Sequence, residues 1–327
     1  MKLNIVYSTD NNYAKYAGVS IISLFENNKS ISSNINLYII NNKISKKNKE
    51  NLDLIAQKYN TKINYISFDE ICCDLNNTDD FFKAAYARLF LSKLEQIDKI
   101  LYIDCDTIIN GSIQDLYNLD IDQYYVAGVQ DNPGKYLVDI IGMSENDRYL
   151  NSGVLLFNLK KIRQNNIQDK ILKFIDRYNG KVPHHDQGVI NGVCKGKILI
   201  IHPKFNCMSQ FWELKASQIM KLYDIKNYYK SSEVEEAISN PIIIHYINKF
   251  YDRPWTKSCS HPMKHLYIKF LEISPWSNDL IESKKDIKVE MRKFIFSNLS
   301  FNIYYRFEKF LDIKRMFYYK KKYKFLK

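Results

Sequence analysis

Glycine is scarce, with ten residues in 327. None forms a G-x-G-x-x-G fingerprint after the first predicted strand. The pairs Gly134-Lys135, Gly180-Lys181 and Gly196-Lys197 lack the following Ser or Thr of a P-loop. Nicotinamide-dinucleotide and P-loop chemistry are thereby excluded. Long apolar runs are missing as well. No stretch approaches the ~18 residues of a membrane span. The opening "MKLNIVYSTDNNY" turns polar too soon for the core of a signal peptide, which predicts a cytoplasmic protein. The six cysteines, Cys72, Cys73, Cys105, Cys194, Cys207 and Cys259, include no C-x-x-C pair and no zinc-like Cys/His spacing, so they read as small, buried, reduced thiols. Acidic residues run short at one end only. Net charge is +12, yet residues 281–327 carry fourteen Lys/Arg against five Asp/Glu, and the preceding 280 residues contribute only +3. The basicity belongs to a tail, not to a nucleic-acid-binding surface spread over the chain.

What is present is an alternation of short apolar strands and amphipathic helices, which means an α/β sheet covered on both faces. Strands are predicted at Asn4–Ser8, Asn36–Ile40, Lys62–Ile66, Lys99–Ile103, Tyr125–Val129, Gly153–Leu159, Lys197–Ile201 and Pro241–His245. Helices are predicted at Tyr13–Asn28, from a Ser45 cap onward, at Phe81–Leu94, and near 160–178 and 186–193. Around Pro254 the pattern changes, with prolines and tryptophans in "RPWTKSCSHPM" and "ISPWSND". One large domain is expected over 1–255, a connecting segment over 256–280, and a basic aromatic tail over 281–327.

Ligands of such sheets gather beyond the carboxyl ends of the strands. There "KILYIDCDTIING" runs from four apolar residues, Ile100 to Ile103, straight into Asp104-Cys105-Asp106. Two carboxylates that close repel unless something positive lies between them. A D-x-D alone is weak: 23 aspartates make about one or two chance matches, and Asp120-Ile-Asp122 is assigned to a solvated loop. At Asp104 and Asp106 the alternatives are turn aspartates binding backbone N–H groups or a divalent-cation site. Asp10, Asp131 and His245 fall at other strand ends. Carboxylates with one imidazole and diphosphate oxygens suit Mn²⁺, with Mg²⁺ as the alternative. A thiolate at Cys105 would only add negative charge, so it is a bystander.

Six blocks, "IVYSTDNNYAKYAGVSIISL", "AAYARLFL", "KILYIDCDTIINGSIQDLY", "YLNSGVLLFNLKK", "HHDQGVING" and "IIHY…RPW", stand in the order and spacing of the family-8 glycosyltransferases. These are retaining enzymes of the glycogenin and bacterial lipooligosaccharide galactosyltransferase type, and the resemblance covers residues 3–255. It implies a GT-A fold, a Rossmann-like mixed sheet flanked by helices, with a UDP-hexose donor and Mn²⁺. By matching position, Asp104, Asp106 and His245 resemble the metal ligands, with Asp104 also near the donor ribose. Ser8, Asp10, Asn12 and Tyr13 resemble the uridine-binding loop, and Arg88 resembles an arginine beside the diphosphate and sugar. Asn151 with Asp131 resembles a sugar-hydroxyl contact. Asp186 and Gln187 match the pair beneath the anomeric carbon. There are two departures. Arg253 stands in the slot of a phosphate-binding lysine, with Lys249 as a second candidate and Asn248 in place of a glycine. Asp80 stands where some relatives have a histidine eight residues before the arginine.

The resemblance implies transfer of glucose or galactose to a glycan or lipid-linked glycan acceptor, in lipopolysaccharide, lipooligosaccharide or another surface glycan. Because Gln187 is an amide and a poor nucleophile, front-face attack is expected, with Gln187 stabilising the oxocarbenium-like transition state. The alternatives are a non-catalytic nucleotide-sugar binder and a transferase that extends a glycan on a protein. The tail places Phe294, Phe301, Tyr304, Tyr305, Phe310, Phe317 and Tyr323 among its basic residues. That pattern suits a helix on an anionic membrane surface at the inner face of the cell membrane, or a surface helix packed on the core. Stacking on single-stranded nucleic acid ranks below both.

Overall fold

The computed structural model describes residues 2–73, 75, 85–282 and 287–324; Asp80 lies outside them. Its main sheet has the strand order β3-β2-β1-β4-β7-β6-β8. The strands are β1 (Leu3–Asp10), β2 (Ile35–Asn42), β3 (Ile63–Ser67), β4 (Lys99–Ile103), β6 (Val126–Gln130), β7 (Leu150–Asn158) and β8 (Ile198–Ile200). β1 pairs in parallel with β2 and β4, and β2 with β3. β7 is antiparallel to β4 and β6, and β6 is parallel to β8. Only β7 therefore runs against the rest. Asn151 and Ser152, near its start, lie at the edge where β1, β4 and β6 end. β1 connects outward to β2 while β4 lies on its other side, which makes the β1/β4 boundary a topological switch point and opens a crevice there.

A second sheet, β5-β10-β9, uses β5 (Thr107–Ile109), β9 (Cys207–Met208) and β10 (Ile243–His245). Its register sets His245 opposite both Thr107 and Met208. This short sheet carries an imidazole from far along the chain to the residue after Asp106. The longer helices are α1 (Ala14–Glu26), α2 (Lys46–Lys58), α3 (Ile167–Arg177), α4 (His185–Cys194), α5 (Ala216–Tyr223), α6 (Ser231–Ser239), α7 (Lys264–Glu272), α8 (Ile287–Asn298) and α9 (Phe301–Lys322).

Alternation along the central strands divides the core in two. Ile5, Tyr7, Leu101 and Ile103 pack on one face, and Val6, Ile100 and Tyr102 on the other. Most buried hydrophobic residues after Trp255 join the first of these clusters, while Tyr323 joins the second. Tyr267, Phe270 and Leu271 of α7 are buried in the first, as is Tyr304 of α9. Trp276 lies over Gly18, where an added Cβ would come within 2.4 Å of the indole.

Several local expectations are corrected. Of the stretch expected as a helix over Phe81–Leu94, Ala85 and Tyr86 are α-helical and Ala87–Lys93 is a 3₁₀-helix, with residues 81–84 outside the described part. The helix expected near 160–178 is two helices, Leu159–Gln164 and α3, broken where Asn166 takes a left-handed φ of 50°. Asparagine tolerates that conformation better than most residues. The strand expected at Pro241–His245 starts at Ile243, and β5 and β9, too short to show a period, were not anticipated. Cys73 is exposed, whereas the other five cysteines are buried.

Candidate active site

Asp104 and Asp106 leave the end of β4 at the crevice, and His245 closes the triangle from β10. One ligand atom from each lies within 4.8 Å of the others. His245 Nε2 is 3.2 Å from Asp106 Oδ1 and 4.0 Å from Asp104 Oδ2. Arg253 Nη1 contacts the other Asp106 oxygen and donates to the Tyr246 carbonyl at 2.6 Å. Burial alone would raise the Asp106 carboxyl, but the Arg253 and His245 charges outweigh it and hold it below the usual carboxylate range. Asp104 moves the other way: burial dominates and raises it, despite Arg88. Burial would lower His245, but Asp106 outweighs it and holds the imidazole above its usual range. That proton, shared with Asp106, is the one a bound cation would displace.

A chain of hydrogen bonds fixes which imidazole nitrogen faces the carboxylates. The Gly153 N–H donates to Asn151 Oδ1 at 2.9 Å, which makes that atom an acceptor. Asn206 Nδ2 must then be the group that donates to it, at 2.9 Å, and Asn206 Oδ1 faces His245 Nδ1 at 2.9 Å. Nδ1 therefore carries a hydrogen, and Nε2 offers its lone pair once its proton leaves. This is how outer hydrogen bonds orient metal-binding histidines. Two hard carboxylates and an imidazole lone pair converge, a donor set that fits Mn²⁺ or Mg²⁺. Cys105 takes no part. Burial, with Asp104 beside it, pushes its thiol above the usual range, and its Sγ donates to the Ser8 carbonyl at 3.3 Å.

Arg88 crosses beneath the pair. Nη2 lies 2.9 Å from Asp104 Oδ1, Nη1 donates to the Ser152 carbonyl at 2.6 Å, and Nε lies 3.2 Å from Asp186 Oδ2. Its guanidinium stacks 4.2 Å from the Tyr102 ring centre. Burial would favour losing this charge, but Asp104 and Asp186 outweigh it. Asp186 Oδ2 is buried and touches Arg88 without a hydrogen bond, which leaves a lone pair for an incoming hydroxyl.

Gln187 is anchored at both ends. Its Oε1 accepts from the Ser152 N–H at 3.0 Å, and its Nε2 donates to Asp131 Oδ2 at 3.0 Å. Asn151 Nδ2 donates to the same Asp131 oxygen at 3.0 Å, and the Asn132 N–H donates to the other at 2.7 Å. Both Asn151 amide atoms are thus committed to the scaffold. The helix bearing this pair, α4, starts from His184, so Asp186 is in its first turn and not at its cap.

At the end of β1, Asp10 and Asn12 line a cleft of about 460 Å³. Asp10 Oδ1 accepts from the Tyr13 N–H at 2.9 Å, and Tyr13, 42% exposed, meets Trp255 edge-on. Ser8 joins this loop to Cys105 through the contact above. Lys249 is not among the residues that line this cleft; its ammonium is 4.6 Å from the Tyr223 ring centre and within electrostatic reach of Asp131. Sequence reasoning missed Asn206, Ser152 and Gly153 as supports of the site. Only Ser152 and Gly153, inside "LNSG", carried a signal that could have found them.

A family model described as Glycosyl transferase family 8 matches residues 4–259. A candidate glycosyltransferase of Haemophilus influenzae is 36% identical over 280 residues, covering 81% of this chain and 76% of that protein. The lipopolysaccharide 1,2-glucosyltransferase of Escherichia coli K12 is 28% identical over 298 residues, covering 89% and 83%. A crystal structure of the galactosyltransferase LgtC, in complex with donor and acceptor sugar analogs, superposes with a TM-score of 0.68 at 22% identity. It covers 84% of this chain and 96% of that one.

Proposed function

The chain belongs to glycosyl transferase family 8 and is a glycosyltransferase of GT-A fold. From that premise we propose that it moves glucose or galactose from a UDP-hexose, with retention, to a hydroxyl of a lipopolysaccharide, lipooligosaccharide or other surface glycan. The observation that carries this reading is the convergence of Asp104, Asp106 and His245 within 4.8 Å at the switch-point crevice. A Mn²⁺ ion held there would act as Lewis acid on the departing diphosphate. The names of the relatives support the glycan class: besides the glucosyltransferase above, a lipopolysaccharide 1,3-galactosyltransferase of Salmonella typhimurium is 24% identical over 287 residues, 85% of this chain and 80% of that one.

The chain's own residues divide the work. Arg253 and Arg88 hold the developing charge on the diphosphate, arginine doing so bidentately. Asp10 and Asn12 line the cleft that receives uridine, with Tyr13 beside it, its N–H held by Asp10. Asp186, with its uncommitted Oδ2, accepts a donor-sugar hydroxyl. Asp131 is a poor nucleophile because both its oxygens already accept hydrogen bonds. Gln187 is an amide held rigidly by Ser152 and Asp131, which suits electrostatic stabilisation of an oxocarbenium-like transition state. These features favour front-face attack, in which a donor phosphate oxygen takes the acceptor proton.

A panel of UDP-sugars with Mn²⁺, with UDP release measured with and without glycan acceptors, tests the reading. Gln187→Ala is expected to keep a few per cent of the activity. A glycosyl adduct trapped on Asp186 or Asp131 would overturn front-face attack. No helix among the described residues is long and apolar enough to cross a membrane. Phe294 and Phe310 of the basic tail are 65% and 54% exposed, which supports peripheral attachment to an anionic membrane at its cytoplasmic face. Failure of vesicles containing anionic lipid to retain the full chain would remove that part.

A further inference from the structure

A larger cavity, of about 1090 Å³, opens between α9 and the short helix Lys135–Ile140 that follows Asp131. Gly134, three residues beyond Asp131, lines it, and so does Tyr223, whose ring centre lies 4.6 Å from the Lys249 ammonium, a charge within electrostatic reach of Asp131. Two aromatic residues line it, Tyr136 from the short helix, its ring stacked on Tyr319, and Phe317 from α9, which is 65% exposed. Six Lys or Arg line the cavity against three Asp. Two of those aspartates are already neutralised, Asp224 by Lys309 at 2.5 Å and Asp312 by Arg315 at 2.8 Å. Lys135, Lys320 and Lys321 are exposed and make no ion pair among the described residues.

We propose that this groove is an acceptor subsite for a phosphorylated sugar, lying some way along the glycan from the hydroxyl that receives the hexose. The inference rests on the glycan-transfer reading above and adds the chemistry of the acceptor. Phe317 presents an exposed apolar ring to the C–H faces of sugars. Lys135, Lys320 and Lys321 supply positive charge, unpaired among the described residues, which a phosphate group takes up as point contacts. The groove is a concavity, whereas a bilayer presents a flat surface. The outward face of the tail, with Phe294 and Phe310, is the surface available to lipid. α9 thus forms one wall of a saccharide site on its inner side.

The test is a calorimetric titration of the full chain with three probes. These are a delipidated, phosphorylated lipooligosaccharide core, the same core after phosphatase treatment, and inorganic phosphate. The phosphorylated core is expected to bind about tenfold more tightly than its dephosphorylated form, the worth of roughly one charge-assisted contact. Lys320→Ala/Lys321→Ala abolishes that preference and Lys320→Arg/Lys321→Arg keeps it. UDP release without acceptor is unchanged in both variants, because these exposed lysines touch none of the donor-site residues. Equal binding of the two cores, no binding of either, or a preference that survives in the alanine variant would overturn the subsite. Inorganic phosphate binding as tightly as the phosphorylated core would reduce the groove to a plain anion patch, and also overturns it. Failure of the glycosyl-transfer reading registers separately, as absence of UDP release from every UDP-sugar with the wild type.

Discussion

Gly153→Ala adds one methyl group and is expected to disable the site. A Cβ built at Gly153 comes 2.2 Å from His245 Cε1 and 2.7 Å from Nδ1, where ordinary contact begins at 3.4 Å. The ring must therefore retreat by more than an ångström, and nothing around it yields easily. His245 is 5% exposed, its Nδ1 is tied to Asn206 at 2.9 Å, and its strand is paired on both sides. Gly153 cannot withdraw either, because its carbonyl accepts from the Asp104 N–H at 2.7 Å. An overpacked position of this kind costs about 1–3 kcal/mol, so the variant folds with a lowered melting temperature. A misplacement near 1 Å at a reacting centre costs about 10²-fold in rate. The assay is Mn²⁺-dependent UDP release, with metal affinity followed by calorimetry. Wild-type rate and metal affinity in Gly153→Ala would refute the placement of His245 as a ligand.

Asn206→Ala should weaken Mn²⁺ binding by about 10–100-fold, because His245 Nδ1 loses the acceptor that sets its tautomer; unchanged affinity would break the hydrogen-bond chain drawn from Gly153. Tyr304→Ala removes a fully buried ring that packs against Phe250 and Phe296. It should cost about 3–5 kcal/mol and appear as faster amide hydrogen exchange across 301–322; native exchange there would mean that the tail is not docked. Burial presses the Lys249 ammonium down to about 8, with Arg292 and Arg315 reinforcing and Glu308 and Asp131 opposing. An unfolded lysine titrates near ~10.4, so between about pH 8 and 10 the unfolded chain holds a proton that the folded chain has lost. Stability of the wild type relative to Lys249→Met should therefore rise with pH across that window, by up to about 1.4 kcal/mol per pH unit. A flat difference in denaturant-derived stability would contradict the buried position of the amine.

The candidate metal pair was legible because Ile100 to Ile103 can only be a buried strand, and the next residues must then leave the sheet at its carboxyl end. His245 was legible only as part of an ordered pattern, since nothing local distinguishes it from a core histidine. The parts that hold it in place were hidden for a physical reason. Asn206 comes from a short 3₁₀ turn, Pro203–Asn206, and its role exists only through contacts with Asn151 and His245, which are remote in sequence. β5 and β9, three and two residues long, are too short to display a period. In the tail, aromatics are spread around α9, so no stripe announces which ones are inside. Packing selects Tyr304 and, one turn on, the acidic Glu308, which is buried because Arg292 lies 2.6 Å away. Sequence pattern alone would have put that glutamate in water.

The central claim is that Asp104, Asp106 and His245 hold a divalent cation that the reaction requires. Titrating Mn²⁺ into chelator-stripped protein with UDP present, while following both metal binding and UDP release, tests it most directly. The account predicts that stripped wild type is inactive and regains activity as one Mn²⁺ per chain binds, and that Asp106→Asn shows neither binding nor recovery. Full activity in the chelator, or Mn²⁺ binding in Asp106→Asn equal to the wild type, would contradict it.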